Sequence, residues 1–212
     1  MPELDMDAVG AAVGPLQMWV LPALLGLGLA SATGLRTFLP LLMLALAAKF
    51  ELFGVRLIDQ MDWLGSWPAI AALATATTAE FLGDKVPAID HALNMVGYVT
   101  RPIAGAVAAG SVFWAVDPTM AAVAGIIVGA PAALAFNAAQ TGVRVGSTAT
   151  TGGLGNPVVS FVEDLLAFLT VLVAFLAPII IPIVLIVLAI VVFRLARRIR
   201  DGRGTSSVRA SG

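Results

Sequence analysis

Apolar runs cut by prolines, glycines and a few charges set the pattern of this chain. A membrane span takes about 20 mostly apolar residues. The first such run extends from about Leu16 to Leu35 and contains Pro22, Gly26, Gly28, Ser31 and Gly34, small residues that suit close helix packing. Arg36 ends it. The next run, Phe38 to Ala48, is short for a crossing and is followed at once by Lys49 and Glu51, so it reads as a short tilted span or a re-entrant half-helix. Phe50 to Trp67 is more polar, and its Arg56, Asp59, Asp62, Trp63 and Trp67 form the pattern of an interfacial segment.

Pro68 opens a helix that reaches about Lys85, and Pro87 breaks the chain. A long helix with a kink at Pro102 is expected over about 88–116, and Pro118 starts another that ends near Arg144. Val145 to Asn156 is too rich in glycine and threonine for a stable helix and reads as a broken element, with Asn156 as the N-cap of a helix starting at Pro157. No charge occurs from Leu165 to Phe193. As one helix that stretch would measure roughly 43 Å, against a bilayer core of about 30 Å. Pro178 and Pro182 near its middle predict two helices with a tight break.

Composition agrees with this pattern. Of 212 residues, 59% are hydrophobic and 12% charged, and the mean hydropathy is +0.98, outside the range of soluble domains. The expected fold class is an all-α polytopic membrane protein with six or seven transmembrane helices. The charges are segregated. Glu3, Asp5 and Asp7 make residues 1–15 acidic, and the first apolar run lacks the basic flank of a cleaved signal and is expected to stay as a helix. Arg194, Arg197, Arg198, Arg200, Arg203 and Arg209 crowd the other end against Asp201 alone, which predicts a cytoplasmic C-terminus. The division expected is therefore an acidic segment at 1–15, a transmembrane domain at 16–199 and a basic, disordered cytoplasmic tail at 200–212. There is no cysteine and a single histidine, His91. Thiol chemistry, disulfides and multi-histidine metal sites are excluded; no cofactor, no metal and no nucleic-acid partner is expected.

An internal repeat shapes the topology. Thr33-Gly34-Leu35-Arg36 recurs as Thr141-Gly142-Val143-Arg144, each copy ending an apolar helix and preceding a short or broken stretch. The two tentative repeats are 16–116 and 118–199. If Phe38 to Ala48 crosses, there are seven helices, with the N-terminus outside and the C-terminus inside. If it is re-entrant, the halves form a 3+3 inverted repeat with both termini inside, a recurring transporter plan. The inverted arrangement is the one expected.

Ionisable residues within these apolar segments are the lead to function, because charge in hydrocarbon is costly and faces a partner, a cavity or a pathway. Thr77, Glu80 and Asp84 share one helix face, as do Asp90, Asn94, Tyr98 and Arg101. Two carboxyls four residues apart suit a proton or cation site. Arg101 is expected to pair with Glu80 or Glu163, and His91 could titrate near neutral pH. Asn137, Gln140, Thr141 and Arg144 line the end of the fifth helix, where amides and a guanidinium could hold an anion or a carboxylate. Thr150, Thr151 and Asn156 belong to the Gly/Thr stretch, whose backbone could face a ligand, and Glu163 and Asp164 follow it. The structural alternative for each is an interhelical clasp or interfacial solvation.

The runs GLRTFLPLL at Gly34–Leu42, AEFLGDKVPAIDHALN at Ala79–Asn94, RPIAGA at Arg101–Ala106 and GSTATTGGLGNPVVSFVED at Gly146–Asp164 resemble the DUF4126 family of bacterial membrane proteins. The resemblance implies a compact polytopic domain in a bacterial inner membrane and carries no catalytic residues with it. The expected function is a small transporter or channel for an ion or small solute, with the lipid bilayer as its surroundings and homo-oligomerisation left open. A non-transporting scaffold or assembly factor, built on small-residue faces such as Gly105 with Ala109 and Gly125 with Gly129, is the alternative. A lipid-acting enzyme is less expected.

Overall fold

A computed structural model describes Gly14, residues 16–84 and 87–191, and Arg194; the side chains of residues 87, 88 and 90–92 lie outside that description. The segments 1–13 and 195–212, and with them the acidic N-terminal and basic C-terminal expectations, also lie outside it. All regular structure among the described residues is helical. Helix α1 (Leu16–Leu35) begins with a π turn. Arg36, Thr37 and Phe38 break the helix, and α2 (Leu39–Lys49) follows. Short 3-10 turns at Leu52–Gly54 and Asp59–Gly65 lead to α3 (Trp67–Gly83) and α4 (Pro87–Ser111), the latter with Pro102 inside it. The long helix α5 (Pro118–Thr151) is followed by α6 (Asn156–Leu176) and α7 (Pro178–Val191).

Local chemistry explains most of these boundaries. Ser66 caps α3 by accepting from the Ala69 N–H, and Asp117 caps α5 by accepting from Thr119 and Met120. Prolines stand in the first turn of α1's regular part, α2, α3, α5 and α6, where their missing N–H is not needed. Inside α5, Pro131 cannot donate to the preceding turn, and a π turn at Gly125–Gly129 lies directly before it. The predicted break near Pro178 is present: Ala177 leaves the helical region at φ -153°.

Two boundaries differ from expectation. The fifth helix does not stop at Arg144 but runs on through the Gly/Thr stretch to Thr151, leaving only 152–155 as a turn. Threonine hydroxyls that bond back to carbonyls, Thr150 to Gly146 and Thr151 to Ser147, follow the helical register and use up the side chains that were expected to compete with it. The left-handed φ values of Gly152 and Gly153 then supply the reversal. In addition, Gly155 rather than Asn156 is the N-cap of α6; the Asn156 side chain instead bonds Thr148 across the turn.

Helix ends sort to two sides. One cavity of about 420 Å³ is lined by Leu21 and Pro22 of α1, by Phe53 to Arg56 after α2, by Val112 and Trp114 after α4, and by Phe175 and Pro178 at the α6–α7 junction. The start of α1 and the chain after α2 therefore share one side, and the Arg36–Phe38 break is the far tip of a hairpin. The last turn of α7, with Leu188 and Val191, lies instead beside Val158 and Val159 near the start of α6. The start of α1 and the end of α7 thus stand at opposite ends of the bundle. The second proposed repeat also departs from the first, since Arg36 sits in a break and Arg144 inside continuous helix.

Packing relies on small residues. A Cβ at Gly105 would lie 2.7 Å from Ala133 Cβ and 2.8 Å from the Gly129 carbonyl oxygen, and one at Gly26 would lie 3.0 Å from Ala109 Cα. These faces bring α1, α4 and α5 together at their centres. The outer surface is apolar, with Ile126, Ile127, Val158, Phe161, Ile183 and Ile186 exposed, while Arg36, Glu80, Arg101 and Glu163 are buried. A soluble protein has the reverse distribution. The helices α1, α5 and α6 are long and apolar enough to cross a membrane, with α2 and α7 as shorter apolar helices, so the bundle has the character of a membrane protein.

Candidate functional site

The break between α1 and α2 exposes backbone N–H groups that no side chain at Phe38 caps. Glu80 of α3 supplies the acceptors. Its two carboxylate oxygens take the Thr37 and Phe38 N–H groups at 3.0 and 3.2 Å. A carboxylate from a neighbouring helix therefore stabilises the positive end of the short helix.

Arg36 occupies the tip of the same break and is fully buried, at 0% exposure. Its guanidinium pairs with Asp84, at the C-cap of α3, and with Asp164 of α6. It also donates from Nη2 to the Ser160 hydroxyl at 2.7 Å, and Ser160 in turn donates to Asp84 Oδ2 at 3.1 Å. Glu80 and Asp84, one helical turn apart, thus flank one chain break and are each met by donors, rather than facing each other across an empty site.

Arg144 of α5 makes the second ion-paired centre. Its Nε and Nη2 reach Glu163 of α6, with Nη2 at 2.6 Å from Oε2, and Nη2 also lies 3.4 Å from Asp84 Oδ2. Arg36 and Arg144, the last residues of the two copies of the four-residue repeat, therefore share a carboxylate oxygen. Gln140, one turn before Arg144, donates to the same Glu163 Oε2 at 2.8 Å.

Arg101 of α4 behaves differently. The expected pairing with Glu80 or Glu163 is not made: Glu80 is committed to the α2 cap and Glu163 to Arg144 and Gln140. Arg101 instead donates from Nη1 to the Gly34 carbonyl at 3.2 Å and to the side-chain oxygens of Asn137 and Gln140. Gln140 so forms a bridge, accepting from Arg101 and donating to Glu163. Buried donors without a partner among the described residues are Arg101 Nε, Asn137 Nδ2 and, one turn before Glu80, the Thr77 hydroxyl.

Of the residues singled out from the sequence, Glu80, Asp84, Arg101, Asn137, Gln140, Arg144, Glu163 and Asp164 come together in this cluster. Thr150, Thr151 and Asn156 do not; they close the exposed α5–α6 turn. Asn94 is half-buried on α4 and has a polar partner. The side chains of Asp90 and His91 lie outside the described residues. Arg36 and Ser160 are the central members that a reading of helix interiors passed over. The repeated Thr-Gly-x-Arg motif was the signal that pointed to Arg36.

The cluster borders an apolar groove of about 210 Å³ between α5, α6 and α7, whose lining includes Phe136, Val143, Val159, Leu166 and Leu188 and whose polar members are Gln140 and Glu163. Larger cavities lie elsewhere, including one of about 590 Å³ among Lys49, Glu51, Arg56 and Asp62 at the other end of the bundle.

No curated protein and no solved structure matches the chain. A family model, described as Domain of unknown function (DUF4126), matches residues 23–198. That span takes in every helix from the regular part of α1 to α7 and every member of the buried cluster, and the chain belongs to the DUF4126 family.

Proposed function

We propose that the protein is a small membrane transporter or channel that moves an ion or small solute by way of the buried cluster. The observation that carries this reading is the convergence, on one site, of carboxyls and guanidiniums from α3, α4, α5, α6 and the α1–α2 break. Among the described side chains the carboxyls of Glu80, Asp84, Glu163 and Asp164 outnumber the guanidiniums of Arg36, Arg101 and Arg144 by one. A proton or a small cation balances that excess. Arg144, which reaches both Glu163 and Asp84, is the group that changes partner when Glu163 is neutralised, and the apolar groove that Gln140 and Glu163 help to line is the approach.

In this reading the helices cross in alternation, the arginines after α7 hold that end in the cytoplasm of a bacterial cell, and the start of α1 faces the opposite side. The scaffold alternative drew on the small faces at Gly105, Ala109, Gly125 and Gly129, and those faces are taken up inside the fold.

Reconstitution in sealed vesicles tests the proposal. Wild-type protein is expected to move protons, a cation or a small solute under an imposed gradient, Glu163→Gln to abolish the flux without unfolding, and Thr150→Ala to leave it intact. No flux across a broad panel, together with a wild-type growth phenotype for Glu163→Gln in cells, would defeat it.

A further inference from the structure

The geometry points to an oxyanion-binding site at Arg101 and Asn137, for a carboxylate or a phosphate-type group. Arg36 and Arg144 are both paired with carboxylates, whereas every hydrogen bond of Arg101 leaves from Nη1 and goes to a neutral oxygen. Arg101 is 4% exposed, and its Nε has no hydrogen-bond partner among the described residues. A buried guanidinium without a carboxylate is costly unless another anion completes it. The edge that carries Nε and Nη2 is the one that takes two oxygens of a carboxylate or phosphate in parallel.

Asn137 supplies an independent second donor. It is 1% exposed, its Oδ1 accepts from Arg101, and its Nδ2 is buried without a partner. An amide accepting from a guanidinium at one end therefore presents an unmatched N–H group at the other. Unmatched buried donors ask for an acceptor. Gln140 stands between Arg101 and Glu163, so an amide, not a carboxylate, meets the guanidinium on that side. The site deepens the transport reading, on which its physiological use rests, by naming an oxyanion as a solute that moves together with the proton or small cation balancing the carboxyl excess; the binding can be measured without it.

The test uses full-length protein in zwitterionic detergent and in vesicles. Calorimetric titration and thermal unfolding are carried out with inorganic phosphate, sulfate and succinate as probes. A parallel arm compares phosphatidylglycerol with phosphatidylcholine vesicles. Saturable binding of a free probe identifies a soluble oxyanion, and protection by phosphatidylglycerol alone identifies a lipid headgroup; either supports the site. Asn137→Asp removes the amide donor and places a carboxylate beside Arg101. It is expected to keep or raise the melting temperature while weakening oxyanion binding on the order of tenfold or more. Arg101→Lys, which retains the charge but loses the two-pronged edge, is expected to weaken it as well. Absence of binding by the wild type in both arms, or equal binding by Asn137→Asp, would overturn the site. Cation flux sensitive to Glu163→Gln without oxyanion binding overturns this inference and leaves the transport reading standing; oxyanion binding without any flux does the reverse.

Discussion

Arg36 and Asp84, 48 residues apart in the chain, form a direct ion pair between two buried side chains. The pair ties the tip of the α1–α2 hairpin to the C-terminal end of α3, and Asp84 extends the link to Arg144 on α5. One carboxylate thereby links three parts of the fold.

Removing Arg36 should be severe. Arg36→Ala takes from the Asp84 side chain its nearest counter-ion, leaving only the longer contact to Arg144, and takes Arg36 from the half-buried Asp164; loss of one partner from a buried pair destabilises by about 3–5 kcal/mol. Denaturation in detergent measures the effect. Adding Asp84→Asn should recover part of the loss, and a double-mutant cycle with no coupling would show that the pair does not stabilise the fold.

Glu80 is predicted to act as a helix cap. Glu80→Ala strips the Thr37 and Phe38 N–H groups of their acceptors and should cost about 1–3 kcal/mol. The local signature is faster hydrogen exchange at the start of α2, with α6 and α7 unaffected. Unchanged protection of those amides would assign Glu80 another role.

The two copies of the repeat should respond differently to the same substitution. A Cβ on Gly34 would fall 2.7 Å from Phe136 Cβ and still closer to the Ala133 carbonyl, whereas one on Gly142 meets nothing within 4 Å. Gly34→Ala should destabilise by about 1–3 kcal/mol through overpacking. Gly142→Ala, at an open helical position, should be neutral or stabilise by up to about 1 kcal/mol. Equal effects would argue that the two copies occupy equivalent environments.

The close contact of α4 with α5 gives a further prediction. Gly129→Ala drives a Cβ against the Gly105 carbonyl and to 2.9 Å from Ala106 Cα, backbone that cannot move aside cheaply. A loss of about 1–3 kcal/mol in thermal unfolding is expected. A stable Gly129→Ala protein that instead loses a co-purifying partner would revive the scaffold alternative.

Much of the fold was legible in the sequence because its signals are local. Hydrophobic length marked α1, α4, α5 and α6. Pro68, Pro118 and Pro157 marked first turns, and Pro178 marked the α6–α7 break. The charges within these apolar segments identified most members of the cluster, because the expense of burying charge is a property of the residue itself. The Gly/Thr stretch was misread because propensity weighs threonine and glycine unfavourably. Hydroxyl back-bonding and continuation of an existing helix prevail over that preference.

Partner choice was decided only by the tertiary structure. The Thr-Gly-x-Arg motif sets Arg36 and Arg144 apart from Arg101, yet nothing in it says that these two meet carboxylates and the third meets amides. Nothing local indicates that Glu80 serves the backbone of a helix more than 40 residues before it, as its bonds to Thr37 and Phe38 show. Ion pairs and caps of this kind depend on where helices cross, and crossing is set by the glycine contacts among α1, α4 and α5. The sequence by itself determined that charge would be buried in an all-helical, apolar bundle; packing determined which charges neutralise one another and left Arg101 without a carboxylate partner among the described residues.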